Sequence, residues 1–509
     1  METRSIKRRR IAELLVNDDV VETTIDRLSD LPDALLHQIF LLLPIKTVAQ
    51  TSVLSKRWRS LWITYPDLDF TTLDSSLVSA VNHLEPRLLT AWQSRIISQV
   101  LSIREKNTYI RVLRFRATIS FSLLNSLIRN AIRQNVRQLE VEVGTKDYFN
   151  FPRCVIGSES LRVLKLKSRY PGFRLPPVSI TKDGFKSLQT LSLSLVILYD
   201  QPFISDLFSD SSFPSLKKLC LRACVGLKSL HVGCLALEDL RLKNCFHMQS
   251  LDVSCAKLER LRVVDCFNSY SEKSWVRINA PKLQHCIWDY NRVTDVTIIE
   301  HSKFLREASI GFFILPKEFS MGKLLSVHNL LSGLSEAHSL TLESQSVEIL
   351  SNNKFFSMHL RPFCNLKSLE LHAVLKKSNV HGLACVFRSC PTLHSLILRI
   401  INDYKTERKQ WNRDLWDVAN TEEEQFWESQ IQTLKLFLQH LKVVKIYGFL
   451  ECEDEVTLAK FLLNHAKALE EMILCGGRFN SRDYLRRQKI RSQMKGFSRA
   501  SSNAKLAFH

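Results

Sequence analysis

Leucines recur along this chain in one arrangement, L-x-x-L-x-L. It reads Leu161-Leu164-Leu166, Leu188-Leu191-Leu193, Leu216-Leu219-Leu221, Leu237-Leu240-Leu242 and Leu258-Leu261-Val263, then Leu340-Leu342, Leu366-Leu369-Leu371 and Leu393-Leu396-Leu398. Strict alternation of apolar residues marks a strand with one buried face, so each L-x-L predicts a short parallel strand. Successive first leucines stand 27, 28, 21 and 21 residues apart, a spacing at which stacked coils repeat. Between Leu216 and Cys266 a weaker copy, Leu227-Leu230-Val232 and Met248-Leu251-Val253, interleaves with the main one. A 21-residue coil divided into two strand-like halves has no room for a helix. Extended segments are therefore expected on both faces there, and helices only behind the longer coils.

The periodicity resembles a leucine-rich-repeat array, which implies a solenoid with parallel strands on its concave face, here over residues 71–400. Cys224, Cys245 and Cys266 follow the 21-residue period, as do Cys234 and Cys255. In such arrays the residue after the strand turns inward toward the backbone of the turn, which makes these thiols a structural ladder. Zinc sites favour ligand pairs two to four residues apart, and no C-x-x-C pair exists. Upstream, the spacing of Leu123, Leu124, Leu127, Ile128, Ala131 and Ile132 predicts a helix before a strand from Gln138 to Val143. This early, atypical repeat would join what precedes it to the array without a flexible linker.

What precedes it, residues 26–70, reads as three short amphipathic helices. Ser29 or Asp30 is placed to cap the first, Pro32 sits in its first turn, and Pro44 stops it. Leu35, Leu36, Ile39, Phe40 and Leu43 share its apolar face. A second helix follows from about Ile45 with Val48 and Ala49 inward, and Ser55 caps a third that carries Trp58, Leu61 and Trp62 on one side. So small a unit buries little by itself, and its spare apolar groups point to a partner. The segment resembles an F-box, in the Leu31-Pro32 pair, the hydrophobic first helix, Pro44 and the closing Val53-Leu54-Ser55-Lys56-Arg57-Trp58-Arg59. The resemblance implies that Leu31, Pro32, Leu35, Leu36, Ile39, Leu43, Pro44, Val53, Leu54 and Trp58 contact a Skp-family adaptor and, through it, a cullin scaffold.

Residues 403–429 are polar, with Trp411, Trp416 and Trp427 among charged runs, and read as an insertion whose tryptophans anchor it on the solenoid. Residues 431–476 follow as strand, loop, helix and strand, with Leu458, Phe461, Leu462 and His465 inward. This resembles the FBD domain of plant F-box and leucine-rich-repeat proteins, except that Glu451-Cys452 stands where that family more often has a glycine. Residues 477–509 read as a basic tail, and residues 1–25 as a flexible one holding Lys7, Arg8, Arg9 and Arg10, a short run of nuclear-import type.

At 509 residues the chain exceeds one ordinary core. It shows no secretory signal and no apolar stretch long enough to span a bilayer, so an intracellular protein of nucleus or cytoplasm, away from membranes, is expected. Thirteen dispersed cysteines fit reduced thiols. The formal charge of +20 raises nucleic acid as a partner, yet nine of the basic residues crowd between Gly476 and His509, and the strand cations are not interleaved with aromatics. No phosphate loop, metalloprotease motif or nucleophile elbow occurs, and neither a metal nor a cofactor is implied. The chain is thus expected to be non-catalytic. The favoured reading is the substrate-recognition subunit of an SCF-type E3 ubiquitin ligase; the alternative is a non-catalytic scaffold or nucleic-acid-binding repeat protein. The strand positions that face the concave side, Lys165, Lys218, Cys220, Asp239, Arg241, Arg260 and Arg262, are mainly basic and suit an acidic or phosphorylated target.

Overall fold

A computed structural model describes residues 28, 30–71, 73, 86–104, 108–198, 206–268, 273–300, 303–351, 355–356, 360–375, 379–401, 422–476 and 484–509, with the backbone alone over 86–93, at 316 and over 484–486. The basic run at Lys7 to Arg10, Ser29, Trp411 and Trp416 lie outside the described residues.

Three short helices, α1 (Asp33–Leu41), α2 (Ile45–Thr51) and α3 (Lys56–Thr64), open the chain. They lead straight into a strand, Asp67–Asp69, that is the first of a sixteen-stranded parallel sheet. Its strands lie in sequence order from there to Lys505–Phe508. The predicted L-x-L leucines pair in register: Leu219 and Leu221 lie opposite Leu240 and Leu242, which lie opposite Leu261 and Val263. Each pair is buried, so one apolar column runs the length of the stack. The early repeat is present as the helix α4 (Phe121–Arg133), capped by Ser120, and the strand Gln138–Gly144.

The other face changes character along the chain. Between residues 208 and 299 it is a second parallel sheet of five strands, Phe208–Ser209, Ser229–Gly233, Ser250–Ser254, Trp275–Asn279 and Val296–Ile299, as the split 21-residue coil requires. Elsewhere helices such as Met321–Gly333, Val380–Arg388 and Glu453–His465 take that side. Each 21-residue coil turns through a left-handed residue directly after its strand: Ala223, Asn244 and Asp265, with φ of 53°, 54° and 50°. The next residue is the ladder cysteine, and its thiol meets backbone carbonyls, as Cys266 does at Val264 (3.3 Å) and Cys245 at Leu221 (3.6 Å). Asn291 takes the same place in the following coil and does more. Its Oδ1 accepts from Cys266 N (2.9 Å) and Phe267 N (3.1 Å), and its Nδ2 donates to the carbonyls of Val263 (2.9 Å) and Asp289 (3.0 Å).

The C-terminal third departs from expectation in two places. The end of the supposed insertion is a helix, Glu422–Ser429, whose buried Trp427 stacks between Phe387 and Phe461. Of the predicted FBD residues, Leu458, Phe461 and Leu462 are buried, whereas His465 is half-buried and pairs with Glu428 of that helix (3.0 Å). The supposed basic tail supplies another repeat, the helix Tyr484–Lys495 and the strand Lys505–Phe508 paired with Glu471–Gly476. Glu451 explains how that helix docks. At φ 58° it occupies a conformation that favours glycine, yet its buried carboxylate meets Arg487 (3.3 Å) and Arg491 (2.9 Å). A glycine would sit more easily in that turn and would leave both guanidinium groups without their carboxylate.

Nearby Glu455 is almost fully buried, and burial pushes its carboxyl up to about 8, against backbone N–H groups of Leu450 (2.7 Å) and Cys452 (3.3 Å) that favour ionisation. The folded chain therefore holds this proton more tightly than the unfolded chain does, and stability falls as pH rises from about 4.5 toward about 8. Glu455→Gln is expected to melt higher than wild type at pH 8 and about equally at pH 5; parallel pH profiles would overturn this. Asn291→Ala, which leaves two buried backbone N–H groups unpaired, should cost about 2–5 kcal/mol in urea unfolding. A loss below about 1 kcal/mol would mean that water takes over its bonds.

Candidate functional site

In the N-terminal unit the backbone sets which leucines face inward. Asp30 is not the cap of the first helix: Pro32 stands at its N-cap, its carbonyl accepting from Leu35 N (2.9 Å), and Pro44 does the same for α2. Ser55 caps α3 as expected, its side chain accepting from Trp58 N (3.3 Å). Arg57 ties α3 to α1, donating to Asp33 (2.7 Å) and to the Leu31 carbonyl (2.5 Å). The core is Leu36, Phe40, Ile45, Val48, Leu61 and Tyr65, with Phe40 packed against Trp58 and edge-on to Tyr65.

The predicted single apolar face of α1 is in fact divided. Leu36 and Phe40 are buried, Ile39 is half-buried, and Leu35 and Leu43 face outward. With them stand Leu41, Leu42 (85% exposed), Val53 (81%) and Leu54 (65%), gathered at the end of α1 and around the turn from α2 to α3. Pro32 and Pro44 are exposed too, while Leu31 and Trp58 are half-buried against the core. Six large apolar side chains exposed on a unit this small are of the kind that marks an interface. Leu41 and Leu42 escaped the sequence reading because helical spacing alone did not separate them from the buried stripe.

The unit joins the array through the main sheet. Its strand Asp67–Asp69 pairs with Val112–Thr118 in the main sheet, and Asp67 holds Arg111 through two hydrogen bonds. Behind the junction the buried Arg104 donates to the Tyr65 carbonyl (2.8 Å).

On the solenoid, Lys165, Lys218, Cys220, Asp239, Arg241, Arg260 and Arg262 all lie at outward positions of the main sheet, as the alternation demands. They are not one surface. Lys165 is spent on Glu140 (2.8 Å) two strands away from Lys218, and Asp239 is buried under Arg241 (2.8 Å) and Arg260 (3.6 Å). The exposed cations beside them include Arg222 and Lys243, which close the same strands and were not singled out from the sequence. Among the described residues no group of histidine, cysteine and carboxylate side chains is arranged to hold a metal, and no helix is long and apolar enough to cross a membrane.

Two family descriptions match the chain: the F-box domain over residues 28–67, and the LRR domain described as At1g61320/AtMIF1 over residues 227–507. A putative F-box/FBD/LRR-repeat protein of Arabidopsis thaliana, At4g03220, is 49% identical over 514 residues, covering 100% of each chain. The chain belongs to the plant F-box/FBD/LRR-repeat family. More distant Arabidopsis relatives include the putative F-box/LRR-repeat protein At5g02930, 25% identical over 89% of this chain and 88% of its own. The F-box/FBD/LRR-repeat protein At3g26920 is 26% identical over 95% and 96%. Proteins of this F-box/LRR family are in general adaptors, not catalysts: the F-box binds Skp1-like adaptors and the repeats bind substrates.

Within this F-box, inward and outward leucines should separate cleanly. Leu36→Ala is expected to cost about 2–5 kcal/mol in thermal or urea unfolding, whereas Leu42→Arg and Leu54→Arg should stay within about 0.5 kcal/mol of wild type. Equal losses at all three positions would mean that the patch is packed against the chain itself.

Proposed function

We propose that this chain is the substrate-recognition subunit of an SCF-type E3 ubiquitin ligase. Its F-box docks a Skp-family adaptor and, through it, a cullin scaffold, while the outward strand face of the solenoid holds a target protein for ubiquitination. The observation that carries the reading is the exposed patch of Leu35, Leu41, Leu42, Leu43, Val53 and Leu54 on a folded three-helix unit. Burying a leucine releases about 1.5–3 kcal/mol, so several together outweigh part of the entropy lost on association. The junction supports the same reading. A ligase works by holding its target at a set distance from chemistry performed elsewhere, and the hydrogen-bonded strand Asp67–Asp69 couples the F-box to the sheet without an intervening linker. The ligase complex would act in nucleus or cytoplasm.

The decisive test is capture of the full chain by a Skp-family adaptor. Wild type is expected to bind, and Leu42→Arg/Leu54→Arg to lose binding at least tenfold while keeping its melting temperature. Trp58→Ala would confuse the experiment, because Trp58 packs on Phe40 and its loss disturbs the core. Absence of binding by the folded wild type would overturn the ligase assignment in favour of a scaffold.

A further inference from the structure

The outward face of the main sheet carries one charged patch that folding leaves unneutralised. Toward the N-terminal end the charges are matched: Glu140 lies between Arg114 (3.3 Å) and Lys165 (2.8 Å), and Glu142 among Arg116 (3.2 Å), Lys167 (3.1 Å) and Arg169 (3.3 Å). Toward the C-terminal end His372 bridges Glu343 (3.0 Å) and Glu370 (3.1 Å), and Arg399 meets Glu370. Between these stretches three neighbouring strands, Lys218–Arg222, Asp239–Lys243 and Arg260–Val264, present six cations and a single carboxylate. That carboxylate, Asp239, is already taken by Arg241 and Arg260. The side chains of Lys218, Arg222, Lys243 and Arg262 make no ion pair or hydrogen bond among the described residues, and all four are exposed; Arg262 feels in addition the charge of Asp289 on the next strand.

The register places like beside like. Arg222 lies opposite Lys243, and Arg241 opposite Arg262, on strands about 4.8 Å apart. Like charges facing each other across a ladder cost stability, and a sheet that pairs its charges on both sides has no structural use for four left over. The neighbouring strand Thr190–Ser194 sets Ser192 opposite Cys220 and Ser194 opposite Arg222, so hydroxyl groups border the cations on that side. Resting on the reading that this face captures the target, we infer that Arg222, Arg241, Lys243 and Arg262, with Ser192 and Ser194, form a subsite for a phosphorylated segment of the target protein. The four strands span about 14 Å, the width of one phosphorylated side chain and its flanking residues. A phosphate dianion accepts several charge-assisted hydrogen bonds at once, which converging guanidinium and ammonium groups supply better to it than to a single carboxylate. No aromatic side chain stands at the outward positions of these strands, so the stacking platform that single-stranded nucleic acid requires is missing there.

The test measures binding of degenerate peptide libraries to the full-length protein without adaptor. Their central residue is phosphoserine, serine or aspartate. The phosphoserine library is expected to bind at least tenfold more tightly than the serine library and to weaken as salt rises. Arg222→Glu/Lys243→Glu should lose at least tenfold, and Arg116→Gln, three strands before Ser192 and already paired with Glu142, should stay within twofold. If the double variant fails to fold by its melting curve, Arg262→Ala carries the test with a smaller loss. Indifference to phosphate, unchanged binding by the variants, or tighter binding of a single-stranded oligonucleotide would each overturn the inference. Adaptor capture does not enter the assay, so a failure here with capture intact overturns this subsite alone.

Discussion

Parallel strands stacked in register stand about 4.8 Å apart, whereas packed helices need roughly twice that distance. Every coil of this solenoid must satisfy that spacing on its strand side, and what the opposite side holds then decides the local shape. Where helices such as Met321–Gly333 or Glu453–His465 fill it, the stack must bend toward the strands. From residue 208 to 299 both sides are sheet and both accept the same spacing. The left-handed turn residues and the Cys/Asn ladder belong to this constraint, for a coil that returns in 21 residues buries its turn backbone and must satisfy it with side chains.

That dependence explains what could be read in advance. The strand leucines, the sheet on both faces and the structural cysteine ladder follow from periods that the stack enforces, and the F-box from the dense marks of Leu31-Pro32, Pro44 and Trp58. The last repeat was hidden because the helix Tyr484–Lys495 is polar, with Ile490 and Met494 buried among its described side chains, and is docked by charge: Glu451 holds Arg487 and Arg491 across about forty residues. Sequence spacing does not report such a long-range ion pair. The inward-outward division of α1 was hidden for a related reason, since a helix apolar all round its end does not say which side meets the core.

The candidate sites were legible to different depths. Strand alternation put Arg241 and Arg262 on the outward face correctly, but only the register showed that Asp239 is consumed and that Arg222 and Lys243 complete the patch. Charge at a position is a property of sequence; charge left unspent is a property of the fold.

The two surfaces that matter sit at fixed places along one continuous hydrogen-bonded ribbon, which begins in the F-box itself with Asp67–Asp69. Five strands of that ribbon separate the F-box strand from the centre of the cation patch, a reach of roughly 30 Å over six sheet spacings. Inserting or deleting one coil in between would move a docked target by a single quantum of about 4.8 Å, and also rotate it by one step of sheet twist. Under the proposed function, repeat number is therefore a gauge for where a target lysine would be offered, adjustable without touching either contact.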